Sequence, residues 1–397
     1  MNRSLLPLLS GWALAAATLA AQDLTITNAR IIGPNASVIE RGSIVVRGGK
    51  IVSVAPGAPS SPAGKVIDAK GMTAMPGFID AHKHINTGPS EKEQMQSLLE
   101  AGYTTILSGG GPAEGNLTLR EHIDKGMING PRIIPSGQIR LRDNNPEMAR
   151  GQIKKLAEMG VKFTGEIGLT PEPGPTGQEM ETLRAIVDEG KKDGVLIQVH
   201  AVSSTAMMAA IDAGVRLLVH VPNKDWVTRA QAKKLAATGT QILGTIGFGA
   251  PIFGVFAEDN NPRFRNGKPW PASIDGADIL DGSAVGQEAG YTMINSRTIW
   301  DEGGLLGYCT DTGYEARAGL DHELKTYNVM FSLKDMVKLV GPNTASYIQM
   351  GDQLGTLEAG KLADIVLLDG NPLEGYWNWL KTTVVVKNGV VVVDKRR

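Results

Sequence analysis

Six metal-type side chains in this chain each close a short apolar, strand-like run, and that recurrence restricts the fold more than any bulk property does. The run Pro76-Gly77-Phe78-Ile79-Asp80-Ala81-His82-Lys83-His84 sets two histidines two apart. In an extended strand alternate side chains share a face. His82 and His84 therefore reach one metal together, and Lys83 is directed away. Glu166 follows the run 161–165, His200 follows 195–199, His220 follows 217–219 and Asp311 follows 306–310. A lone His-x-His is weak evidence and is often a surface pair. Ligand-type residues at five strand ends are hard to produce by chance.

The middle of the chain alternates strand and helix. Apolar runs at Met75, Tyr103, Arg132, Val161, Val195, Leu217, Gln241 and Leu306 are each followed by a helical or loop segment. Helices are predicted near 117–125, 146–159, 178–192, 205–213, 228–237, 321–330 and 332–350. Near-continuous apolar strands alternating with helices imply a parallel sheet. Eight such units predict an α/β fold of the closed (β/α)8, TIM-type barrel, whose chemistry sits at the C-terminal strand ends. The stretch 247–300 is too long for a simple βα loop and reads as a lid or substrate-shaping insertion. Both ends of the chain are β-rich. Gly48-Gly49 and Asn388-Gly389 stand between alternating runs, a hairpin signal. Residues 22–72 and 352–397 are expected to build one small β-sandwich flanking a barrel over 73–351.

The net charge is -1 and no basic tract occurs, which gives no footprint for nucleic acid. Met1-Asn2-Arg3-Ser4, then an apolar stretch from Leu5 to Leu19 and small residues at Ala20-Ala21, read as a signal peptide over 1–21. The expectation is a secreted or periplasmic protein with no membrane anchor after cleavage. A single cysteine, Cys309, excludes an internal disulfide framework and reads as a buried structural thiol.

The Pro76–His84 run resembles the first metal motif of the amidohydrolase superfamily. Gly355-Thr356-Leu357-Glu358-Ala359-Gly360-Lys361-Leu362-Ala363-Asp364-Ile365-Val366 is similar to that superfamily's C-terminal return to its β-sandwich. The segment from Gly160 to Leu169 resembles the enamidase segment in which a glutamate bridges two metals. Gly130-Pro131-Arg132-Ile133-Ile134-Pro135-Ser136-Gly137 looks like prolidase-related members, and the middle as a whole like the enamidase and imidazolonepropionase branch.

The resemblance implies two divalent ions. His82, His84 and Asp311 would hold one, His200 and His220 the other, and Glu166 would bridge them. Zinc suits these ligands, with iron or manganese as alternatives. Many members use a carboxylated lysine as the bridge, which makes Lys162 the rival. Lys162 stands four residues before Glu166, about 13 Å deeper at about 3.3 Å per residue. Two ions about 3.5–4 Å apart lower the pKa of a shared water from about 15.7 toward about 7. Asp311 would take the proton of that water and pass it to the leaving nitrogen.

The implied activity is a secreted hydrolase of amide or cyclic-amide C–N bonds. A dipeptidase or N-acyl amino acid hydrolase of prolidase type, or a lactonase, is the alternative on the same site. Mononuclear deaminases of the superfamily carry a glutamate three residues after the strand-five histidine, where this chain has Ser203. A scaffold protein on the same fold is the non-enzyme alternative, and such relatives lose ligands that this chain keeps. His322, Asn223, Tyr314, Gln138 and Arg140 follow strands and are candidates to line a pocket for a small-molecule substrate. For His322, a helix-terminal histidine held by neighbouring carboxylates is the competing reading. His122 reads as a surface histidine. A homo-oligomer is left open.

Overall fold

The computed structural model describes residues 22–141, 145–247, 284–313 and 316–396. The expected signal peptide, Tyr314 and most of the 247–300 insertion lie outside the described residues. Among the described residues no helix is long and apolar enough to cross a membrane.

The two ends of the chain form one sheet. Its N-terminal strands are β1 (Leu24–Ile32), β2 (Val38–Arg47), β3 (Lys50–Pro56), β4 (Lys65–Asp68) and β5 (Thr73–Pro76). Its C-terminal strands, last in the chain, are Ile365–Leu368, Thr382–Lys387 and Val390–Asp394. From one edge, the C-terminal strands in reverse order lead to β5, β1, β2 and β3, while β4 pairs with β1. Both hairpin signals form turns with positive φ at their two central residues: 53° and 78° at Gly48-Gly49, 49° and 77° at Asn388-Gly389. That backbone matches the right-handed twist of the strands they join. Leu24, Ile26, Ile44, Ile67, Ile365, Leu367, Val384 and Val386 are buried together in this unit.

One boundary differs from the sequence reading. The strand at Met75, expected to open the barrel, belongs to the terminal sheet as β5, antiparallel to Ile365–Leu368. Gly77 makes the crossing: a Cβ there would lie 2.3 Å from Thr104 Oγ1, so only glycine lets the chain pass.

The parallel strands start one residue later. They are β6 (Phe78–Lys83), β7 (Tyr103–Ser108), β8 (Arg132–Ile134), β9 (Ser136–Gly137), β10 (Phe163–Gly168), β11 (Leu196–His200), β12 (Leu217–Val219), β13 (Gln241–Leu243) and β14 (Leu305–Gly307). They form two parallel sheets, β6-β7-β8 and β9 through β14 in sequence order. Pro135 separates β8 from β9 and lacks the amide proton that a continuous ladder requires. The sheets are also joined by backbone hydrogen bonds. Ala81 donates to Tyr308 O (3.3 Å), Asp311 to His82 O (2.9 Å), and Glu166 to Gly109 O (3.2 Å). Ile79, Ala81, Leu107, Phe163, Leu217, Leu243 and Cys309 meet in one buried cluster, so Cys309 is the buried thiol expected of it.

Helices follow the strands: α1 (Glu91–Ala101), α2 (Ala113–Asp124), α3 (Pro146–Glu158), α4 (Gly177–Asp193), α5 (Ser204–Asp212), α6 (Arg229–Ala237), α7 (Ala284–Asp301), α8 (Ala316–Met330), α9 (Leu333–Lys338) and α10 (Thr344–Tyr347). Among the described residues, capping boxes start three of them: Thr176 with Glu179, Thr228 with Gln231, and Ser332 with Asp335. The helix expected over 332–350 is interrupted by a wide turn at Leu339–Asn343 that contains Pro342. Proline has no N–H to give to the helical ladder.

Candidate metal centre

The C-terminal ends of β6, β10, β11, β12 and β14 place all six expected ligands around one point. One ligand atom each from His82, Glu166, His220 and Asp311 lies within 4.8 Å of the others. His84 Nε2 is 2.9 Å from Asp311 Oδ1, and His82 Nε2 is 3.2 Å from the same oxygen. On the other side, His200 Nδ1 is 2.7 Å and His220 Nε2 3.2 Å from Glu166 Oε2. Glu166 also faces the first pair, with Oε2 at 3.7 Å from His82 Nε2 and Oε1 at 3.7 Å from His84 Nε2. Glu166 lies within β10, two residues before its end, rather than just past the strand. Lys162 lies just before β10 at its opposite end and is exposed.

The backbone is specialised at this rim. His220, Thr245 and Asp311 have φ of 67°, 41° and 51°. Non-glycine residues rarely adopt this region, and the conformation costs about 1–3 kcal/mol at each. The Thr245 hydroxyl is 2.6 Å from His220 Nδ1, which leaves Nε2 directed at Glu166. Holding the second ring nitrogen of a metal ligand in this way fixes its tautomer and orientation. Sequence reasoning missed Thr245, because a contact spanning 25 residues leaves no periodic signal.

Charge in the cluster is balanced by contact. Burial opposes ionisation of Glu166, but hydrogen bonds from His200 and His220 and the nearby His82 outweigh it and hold the carboxyl well below the usual range. Burial acts the same way on Asp311, and His82 and His84 outweigh it. For His82 burial disfavours the cation, yet contact with Asp311 and Glu166 prevails and raises it to about 9. Burial dominates at His220 and lowers it.

The donor set fits a divalent cation. Among the described residues, neither ring nitrogen of the fully buried His82 makes a hydrogen bond, and Asp311 Oδ1 makes none either. Buried polar atoms this close to each other without hydrogen-bond alignment are expensive, and are what ligands around a shared cation look like. Four imidazoles and two carboxylates suit zinc, iron or manganese.

The remaining candidates divide. Gln138 and Arg140 line a cavity of about 350 Å³ that reaches Glu166, together with Gly168 and Thr170. His322 Nε2 donates to Gly247 O, so its ring holds the chain just past β13. Burial lowers it to about 4. The Asn223 amide donates to Val202 O, and its side-chain Oδ1 is buried with no hydrogen-bond partner among the described residues. His122 is half-buried rather than on the open surface, with Nδ1 2.6 Å from Glu91 Oε1.

Comparisons with known proteins bear on the family and the fold. The chain is 24% identical to an imidazolonepropionase from Caldanaerobacter subterraneus subsp. tengcongensis, over 89% of this chain and 91% of that one. It is 25% identical to a dihydroorotase from Aquifex aeolicus, over 88% and 90%. Among solved structures, a Xaa-Pro dipeptidase with bound methionine superposes with a TM-score of 0.75 at 21% identity, over 94% of this chain and 100% of that one. Molinate hydrolase superposes at 0.74 and 17%, over 94% and 95%. These structural likenesses carry the fold. The model of the amidohydrolase family matches residues 73–248 and 263–393. The chain therefore belongs to the amidohydrolase family, hydrolases that act on C–N bonds.

Proposed function

We propose that this chain is an exported binuclear-metal hydrolase that cleaves an amide or cyclic-amide C–N bond, built on a closed (β/α)8 barrel beside a β-sandwich. The carrying observation is the split of the six side chains into two groups that share Glu166: His82, His84 and Asp311 on one side, His200 and His220 on the other. Closure is supported by the hydrogen bonds between β6 and the segment following β14. Export is supported by the composition of residues 1–21.

Divalent cations held there supply Lewis acidity toward a carbonyl oxygen and acidify water. The chain's own groups do the rest. Glu166 stays ionised and ties the two halves of the site together. Asp311, also ionised, accepts a proton from the attacking water. As the new C–O bond forms and the C–N bond breaks, Asp311 returns that proton to the departing nitrogen. The buried His82 and strained His220 backbone keep the ligands from rearranging during the step.

A second reading, dipeptides or N-acyl amino acids as substrates, is favoured by Arg140 at the cavity beside Glu166. A guanidinium pairs well with a substrate carboxylate.

The test is metal analysis joined to hydrolysis of cyclic amides, N-acyl amino acids, dipeptides and lactones. Two zinc, iron or manganese ions per chain and chelator-sensitive amide hydrolysis are expected. Glu166→Gln should cripple activity, while Lys162→Ala should retain the metals. A chain that takes up no metal after reconstitution, or that loses its metals through Lys162→Ala but not Glu166→Gln, overturns the reading.

A further inference from the structure

Between the two histidines of the first motif stands Lys83, and its side chain is fully buried. A buried ammonium is costly unless it is paired and hydrogen-bonded. Its Nζ donates to Thr312 Oγ1 at 2.6 Å and to Thr310 Oγ1 at 3.1 Å, and lies 3.9 Å from Asp80 Oδ2. Asp80 is fully buried too. It accepts from Thr310 Oγ1 at 2.6 Å, from the Thr310 amide at 3.1 Å and from the His82 amide at 3.2 Å. Thr310 and Thr312 are the chain neighbours of Asp311. The clamp is closed by backbone: Asp311 N donates to His82 O at 2.9 Å, and His84 N to Thr312 O at 3.0 Å.

These contacts fasten both neighbours of Asp311 to the strand that carries His82 and His84. Asp311 needs such fastening, because its φ of 51° is unfavourable for an aspartate without outside constraint. A methionine would fill the space of Lys83 without the cost of burying a charge, so filling space does not explain a lysine here. The β6–β7 register slips between Asp80 and Lys83. That irregularity lets residues around the strand end be re-aimed.

We propose that Lys83 and Asp80, acting through the hydroxyls of Thr310 and Thr312, are positioning residues that lock the Asp311 carboxylate against His82 and His84. The proposal rests on the metal-hydrolase reading. It assigns no contact between Lys83 and substrate.

The experiment uses the full chain and compares Thr312→Val, Thr312→Ser and Lys83→Met with the wild type. Zinc and cobalt(II) affinities are measured by competition with a chromophoric chelator. The cobalt absorption spectrum and the thermal melt are recorded on the same samples. Thr312→Val should weaken affinity about 10- to 100-fold and shift the cobalt spectrum, as loss of an outer hydrogen-bond partner does. Thr312→Ser keeps the hydroxyl and should remain within about twofold of the wild type in affinity. Lys83→Met should behave like Thr312→Val. Should it fail to fold, the Thr312 pair decides. A folded Thr312→Val with wild-type affinity and spectrum overturns the clamp. A wild-type chain that binds neither zinc nor cobalt overturns the hydrolase reading instead, and the clamp's role falls with it.

Discussion

At the level of single residues, the proposed ligands stand out in the sequence and the residues that support them do not. His82, His84, His200, His220 and Asp311 stand at or just past strand ends, so a one-dimensional pattern locates them. Thr245, Asp80 and Lys83 act on partners 25, 230 and 229 positions away. No local rule encodes such contacts. His322 shows a similar gap. Its position beyond the Asp311 strand suggested substrate contact, and the contact of its ring with the Gly247 carbonyl was not foreseen. That burial has a measurable consequence. Burial lowers His322 in the folded chain to about 4, against a usual 6.5. Between those values the unfolded chain binds the extra proton, so His322 makes stability fall as pH drops from about 6.5 to about 4, by at most about 1.4 kcal/mol per pH unit. Urea unfolding of the wild type and His322→Gln between about pH 7 and about pH 4.5 isolates this group, because all other titrations are common to both. The variant should lose stability less steeply on acidification. Parallel curves would show that His322 is not held neutral.

At the level of elements, helices with a polar cap and a clear apolar stripe were legible. The expected helix over 178–192 is Gly177–Asp193, opened by the Thr176–Glu179 box. Helix α7 was not, because it lies largely inside the stretch 247–300, which reads as a lid or substrate-shaping insertion. Yet α7 braces the loop that follows His220. Asn295 on α7 is fully buried, and its Nδ2 donates to Pro222 O (2.9 Å) and Asp225 O (2.8 Å). Its Oδ1 accepts from the Val227 amide at 2.8 Å. One side chain thus satisfies three backbone groups in the loop that follows His220. Asn295→Ala removes these partners, and each buried group left unpaired costs about 1–3 kcal/mol. Hydrogen exchange should therefore accelerate over 222–227, together with a lower melting temperature. Unchanged exchange in that loop would mean that the Asp225 contacts to Ser204 hold it alone.

Across the whole molecule, stability and chemistry are placed at opposite ends of the same strands. That the two chain ends come together in one β-unit was legible from their β-rich runs flanking a different middle, whereas the way the sheet fastens to the parallel strands was not. Arg132, the first residue of β8, donates from Nη1 to Asp364 Oδ2 (2.8 Å) and to Thr105 Oγ1 (2.6 Å), and from Nη2 to Asn388 Oδ1. Asp364 just precedes the C-terminal strand Ile365–Leu368 and is buried, and its Oδ1 also accepts from the Asn388 amide. Arg132→Ala leaves that carboxylate buried beside a lost cation, and breaking a buried pair from one side costs about 3–5 kcal/mol. Lys387 lies near the same contact, with its Nζ donating to Gly130 O. The proposed metal ligands stand at the C-terminal ends of the strands, away from this contact, so the loss should not reach them. The expected outcome is a melting temperature lowered by several degrees, with metal content per folded chain and metal affinity unchanged. A variant that loses metal in proportion to stability would show that the terminal sheet and the metal rim form one cooperative unit, and that the separation of roles along the strands does not hold.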